Sequence, residues 1–219
     1  MNRLFHLDNP VLQFFSKVFD LILLNILFIF TCIPILTIGA SLTALYSMTL
    51  KMVRNQESYI IKGYFKAFAS NLKQSTIVWL ICLVVMFFIH FDIVFVTGMG
   101  KGGILFLMQV FVYVVTLFAI AVFLYLFPVI AHFVCTTKQV FQNALFLSLG
   151  HLPYTLVLFA MYGLILFIAT RSVRLLSLLV VLSMFCLFSV TAYVGSLMFN
   201  RIFRKYVPEE SEESSEAEA

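Results

Sequence analysis

Asn25-Ile-Leu-Phe-Ile-Phe-Thr-Cys-Ile-Pro34-Ile-Leu-Thr37-Ile-Gly39-Ala-Ser-Leu-Thr43-Ala-Leu-Tyr46 is the stretch that decides how this chain is read. It begins inside the first long apolar run, 18–38, but holds a helix breaker (Pro34), a permissive turn residue (Gly39) and three small hydroxyl side chains (Thr37, Ser41, Thr43). Proline lacks an N–H and clashes with the turn before it, so a helix stops or kinks there. Where no water reaches, neighbouring hydroxyls have to take up the backbone groups that the break frees. The stretch therefore predicts a broken helical hairpin, with Asn25 facing protein and hydrogen-bonding between helices. Broken helices of this kind close tight hairpins, and they also line substrate sites in transporters.

The composition around the hairpin says what solvent it folds in. Of 219 residues, 63% are apolar and 11% charged, and the mean hydropathy is +1.07. A soluble domain carries about 25% charged residues, so this chain lacks the polar coat that water demands. Soluble enzymes, nucleic-acid readers and secreted modules are poor readings, and an all-α, polytopic transmembrane bundle is expected. Beyond the hairpin, the runs 76–96, 104–134, 152–169 and 175–199 are long enough or nearly so, a span needing about 20 residues. The run 104–134 is too long for one upright span, and Pro128 is expected to kink it or mark its exit. The run 40–53, which follows the break, has only 14 residues. Counting it gives six crossings, and omitting it gives five. The first run reads as a retained helix, not a cleaved signal.

Charge favours six. With turns near Gly39, 98–103 and 170–174 on one face, that face carries only Lys101, Arg171 and Arg174, against eleven basic residues on the other. Five crossings split the charges nine to five. The positive-inside rule thus predicts six crossings with both termini cytoplasmic. Six of the ten acids lie in the last eleven residues, so the rest of the chain, with fourteen basic and four acidic side chains, has a net charge of +10. The partner it calls for is an anionic leaflet, not nucleic acid. Residues 1–207 read as one transmembrane domain and 208–219 as a disordered acidic tail.

Two cytoplasmic loops show helical amphipathicity. In 58–75, Ile61, Tyr64, Phe65, Phe68 and Leu72 oppose Lys62, Lys66, Ser70 and Lys73. In 137–150, Val140, Phe141, Ala144 and Leu145 oppose Lys138, Gln139, Gln142 and Asn143. Elsewhere the expectations are plain. Lys17 and Asp20 can pair on one helical face. His90 and Asp92 snorkel toward the outer surface, and Trp79 joins an interfacial belt. Cys32, Cys82, Cys135 and Cys186 have no paired or metal-type spacing. No phosphate loop, metalloprotease His-Glu pair or nucleophile elbow is present in the sequence, so no catalytic residue, metal or cofactor is expected.

Ile33-Pro34-Ile35-Leu36-Thr37-Ile38-Gly39-Ala40 with Thr43-Ala44-Leu45-Tyr46 resembles the hallmark of the YesL-like family of bacterial integral membrane proteins. Tyr64-Phe65-Lys66-Ala67-Phe68, Asn71-Leu72-Lys73-Gln74 and, more loosely, Leu152-Pro153 fit the same pattern. The resemblance implies an accessory role in carbohydrate import beside an ABC importer of the plasma membrane, and it carries no catalytic residues. The acidic tail is not part of it. On this reading Phe65, Phe68 and Phe141 are apolar anchors, and Lys62, Lys66 and Lys73 a charged rim, for the importer's membrane and ATPase subunits. The same loops could instead lie on lipid headgroups. Two other functions stay open: a stand-alone small-solute transporter or channel lined by Asn25, Pro34, Thr37 and Thr43, and an assembly factor that stabilises importer subunits.

Overall fold

The computed structural model describes residues 10–56, 59–98 and 103–206, with side chains from residue 15 onward. The acidic tail falls outside this range. Among the described residues every regular element is helical.

Helix α1 (Pro10–Thr31) stops three residues before Pro34, and a single 3-10 turn, Ile35–Thr37, leads into α2 (Ile38–Val53). Next comes α3 (Ile60–Gly98), 39 residues long, then α4 (Gly103–His132). The short α5 (Thr137–Gly150) precedes α6 (Leu152–Arg171). Ser172 is extended and separates α6 from α7 (Val173–Leu182). A π-helical turn, Ser183–Leu187, joins α7 to α8 (Phe188–Phe203) without a break.

Among the described residues, five helical segments are long and apolar enough to cross a membrane: 35–53, 60–98, 103–132, 152–171 and 173–203. At 22 residues, α1 is also about 33 Å long by helical rise. This is an all-α transmembrane bundle. Pro128 lies inside α4, buried, and the helix continues to His132. The amphipathic stretch 58–75 is no separate helix. Its described part forms the first four turns of α3, which run straight into the apolar span. The second amphipathic stretch is a separate helix, α5, as expected.

The core is built around α2, which packs most extensively against α3, then α8 and α4. Because protein rather than lipid surrounds it, α2 tolerates Ser41, Thr43 and Thr49, all fully buried. Lipid chains are as apolar as leucine, so helices associate here through close packing and interhelical hydrogen bonds, not through escape from solvent. Leu24, Leu45, Met48, Tyr64, Tyr125, Phe199 and Phe203 fill the space around α2. Helices α3 and α4 also pack on each other, as do α6 and α7. Large apolar side chains on these helices face outward, among them Phe87, Phe91, Phe106, Phe111, Leu166 and Leu178.

Candidate functional site

Two groups of residues stand out, the hairpin and the basic face of α3. In the hairpin the break at Pro34 frees carbonyls, and Thr37 takes them up: its hydroxyl donates to Thr31 O and Pro34 O, both at 2.8 Å. Ser41 Oγ donates back to Thr37 O at 3.0 Å. Gly39 lies where α2 comes close to α3, and a Cβ there would stand 2.5 Å from the Ser75 carbonyl oxygen and 2.7 Å from Trp79 Cβ. Thr43 hydroxyl donates to Gly39 O at 3.0 Å and shares a 2.8 Å hydrogen bond with Ser75 Oγ. Tyr46 meets Tyr162, hydroxyl to hydroxyl at 3.3 Å, and packs edge-on against Phe199.

Asn25 has a role that its own helix does not explain. The π-helical bonding at Ser183–Leu187, five residues back instead of four, takes carbonyls out of the ordinary ladder. Asn25 Nδ2 donates to Ser183 O and Met184 O at 2.8 and 3.0 Å, and its Oδ1 accepts from Ser189 N–H at 3.2 Å. The residue is fully buried and joins the ends of the π turn to α1. The expected interhelical bonding is present, with the partner helix's backbone supplying two acceptors and one donor. No buried polar side-chain atom lacks a hydrogen-bond partner among the described residues.

The face of α3 divides the predicted stripe. Tyr64 is buried, its hydroxyl 2.6 Å from Thr31 Oγ1, and Phe68 stacks on its ring, half-buried. Ile61, Phe65 and Leu72 turn outward beside the exposed Lys62, Lys66 and Lys73. Each triplet repeats at i, i+4, i+11, so two adjacent rows, one apolar and one basic, run along the exposed side. On α5, Phe141 is half-buried against the core, while Val140, Ala144 and Leu147 are buried. Of the predicted anchors, therefore, Phe65 faces outward with the three lysines, and Phe68 and Phe141 turn inward.

Other contacts were not foreseen. Lys17 Nζ, which by spacing can also pair with Asp20, donates to Asn55 Oδ1 at 3.0 Å, tying the start of α1 to the end of α2. Arg54 reaches Asn200 Oδ1 through Nε at 3.0 Å and the His132 ring through Nη2 at 3.2 Å, while that ring stacks on Phe203. Trp79 donates its indole N–H to Ile35 O at 2.9 Å and packs on Phe123 and Phe127, so protein, not headgroups, satisfies it. His151 contacts Tyr206 hydroxyl at 3.1 Å; partial burial and then the neighbouring Lys205 hold its ring below the ordinary histidine pKa. No cluster of three potential metal ligands occurs among the described residues.

The apolar helices and their arrangement define a multi-pass membrane protein. The family described as "Protein of unknown function, DUF624" matches residues 21–93, about a third of the chain, from the middle of α1 through the hairpin and α2 to near the end of α3. No curated protein and no solved structure matches the chain.

Proposed function

We propose that this chain is a non-enzymatic accessory subunit of a carbohydrate, most simply oligosaccharide, ABC importer in a bacterial plasma membrane, with both termini cytoplasmic. The resemblance of 33–46 and 64–74 to the YesL-like family motivates the role, and the observation that carries it is the exposed face of α3. There Phe65 is 43% exposed, flanked by Ile61 and Leu72 and by Lys62, Lys66 and Lys73. An apolar row with a basic row beside it is the kind of face that docks a protein carrying an acidic rim around an apolar socket. The accessory reading is favoured over a stand-alone transporter because Asn25, Thr37 and Thr43 are engaged by the chain's own backbone and side chains.

The test is affinity purification of the tagged protein in mild detergent, with mass spectrometry of what accompanies it. Recovery of importer membrane subunits is expected with the wild type, and a loss of at least about tenfold with Phe65→Asp/Lys66→Glu, equivalent to roughly 1.4 kcal/mol. Both substituted positions are exposed, so the variant should keep its elution volume and thermal midpoint. Undiminished recovery from the variant, or no importer subunit with the wild type, rejects the reading.

A further inference from the structure

We propose that α1 and α2 form a re-entrant hairpin: both legs enter from the basic end, and the Ile33–Leu36 tip stops inside the hydrocarbon among lipid acyl chains without reaching the opposite face. The depth follows from α3. Between Lys73 and Asp92 this helix carries no Asp, Glu, Lys or Arg. Those nineteen steps span about 28 Å, close to the roughly 30 Å of a bilayer's hydrocarbon core. The tip is fixed to α3 near the lower end of that interval, by the Trp79–Ile35 hydrogen bond and by the approach of Gly39 to Ser75 and Trp79. Trp79 is six steps past Lys73, about 9 Å, and thirteen short of Asp92, about 20 Å. The tip therefore ends about a third of the way across.

The neighbouring helix also continues well past the tip. The Trp79 ring packs on Phe123, and α4 extends from there to Gly103, a further twenty steps or about 30 Å. The two legs begin and end together, since Lys17 on α1 bonds Asn55 just after α2. At the tip, Ile33, Ile35 and Leu36 are 72%, 67% and 58% exposed, and no ionisable side chain lies among them. Such a surface is unsuited to water and suited to acyl chains. Its irregular backbone is admissible at depth because the protein takes up carbonyls there: Thr37 those of Thr31 and Pro34, Trp79 that of Ile35. A hairpin that turns back leaves every later segment on the side that six full crossings would give it.

Trp79 is the sole tryptophan, so the intact chain carries its own depth probe. The protein is reconstituted in phosphatidylcholine–phosphatidylglycerol vesicles containing lipids brominated either near the carbonyl or near the chain end. Quenching at least about twofold stronger by the deep bromines is expected. Stronger quenching by the shallow bromines places the tip at a headgroup interface and overturns the proposal. No quenching by either means that protein covers the tip, and overturns it equally. As a second measurement, in a background with the four native cysteines replaced by alanine, Ser172→Cys should react with a membrane-impermeant maleimide from one face and Ile35→Cys from neither. Reaction of Ile35→Cys from the same face as Ser172→Cys would show a full crossing and reject the hairpin as re-entrant.

Discussion

Gly39 shows how much one missing side chain contributes. At 2.5 Å from a backbone oxygen, an added Cβ cannot be accommodated by rotating a neighbour, so α2 and α3 must separate. Gly39→Ala is expected to cost about 1–3 kcal/mol, measured as a lower thermal midpoint in detergent, with altered Trp79 emission because that ring lies against the same contact. Asn25→Leu should cost about 2 kcal/mol, since it leaves the Ser183 and Met184 carbonyls without their donor in a buried place; the same unfolding measurement reads it. His151 should titrate below the ordinary histidine value, first because it is partly buried and then because Lys205 repels the proton. Its depressed pKa favours the fold at higher pH, and that contribution is lost as pH falls from the ordinary value through the depressed one. NMR titration of the ring protons checks this, and Lys205→Ala should raise the midpoint part of the way. At this scale the sequence was informative where partners are near: Thr37 reaches carbonyls three and six residues back, and a proline break calls for such a group. Arg54, His132 and Asn200 were not legible, because 78 and 146 residues separate Arg54 from the other two.

Among the elements, α5 was predictable because a stripe of Val140, Ala144 and neighbours recurs at helical spacing; the capping box that starts it at Thr136 emerges from the structure. Gln139 Oε1 accepts from the Thr136 N–H at 2.8 Å and from its hydroxyl at 3.0 Å. Gln139→Ala should loosen the first turn by about 0.5–1 kcal/mol, seen as faster amide exchange over 136–142 with the rest of the chain unchanged. The amphipathic start of α3 was also visible, but not its division into a packed row and an outward row. Tyr64 and Phe65 look equally apolar in sequence; only the position of Thr31 decides that Tyr64 is the one turned in. The π turn left no local sign, since Ser183–Leu187 contains neither glycine nor proline. What stabilises it is Asn25, on another helix.

For the molecule as a whole, composition fixed the solvent and hydropathy located the long segments, but the depth of the hairpin was hidden. The positive-inside count is the same whether the tip crosses or turns back, because either course leaves the flanking charges on one side. The packed and lipid-facing parts of the bundle should respond differently to added bulk. Ala44→Leu on α2, fully buried, should cost about 1–3 kcal/mol by overpacking, whereas Val84→Leu on α3, 55% exposed, should leave the thermal midpoint in detergent unchanged. Equal sensitivity at the two positions would contradict the arrangement of α2 as the enclosed helix.

The widened turn at Ser183–Leu187 amounts to a one-residue insertion in an otherwise continuous helix of 31 residues. Since each residue of an α-helix advances the face by about 100°, the insertion phases α7 independently of α8. The two sides of it differ accordingly: no residue of α7 is buried, whereas Ala192, Ser196, Phe199 and Phe203 of α8 line the core. Deleting Met184 would restore one uninterrupted register, rotate α7 in its lipid surroundings and leave Asn25 facing carbonyls already bonded within the helix. A one-residue change at Ala192 or Ser196 would instead turn the packed face of α8 out of the core.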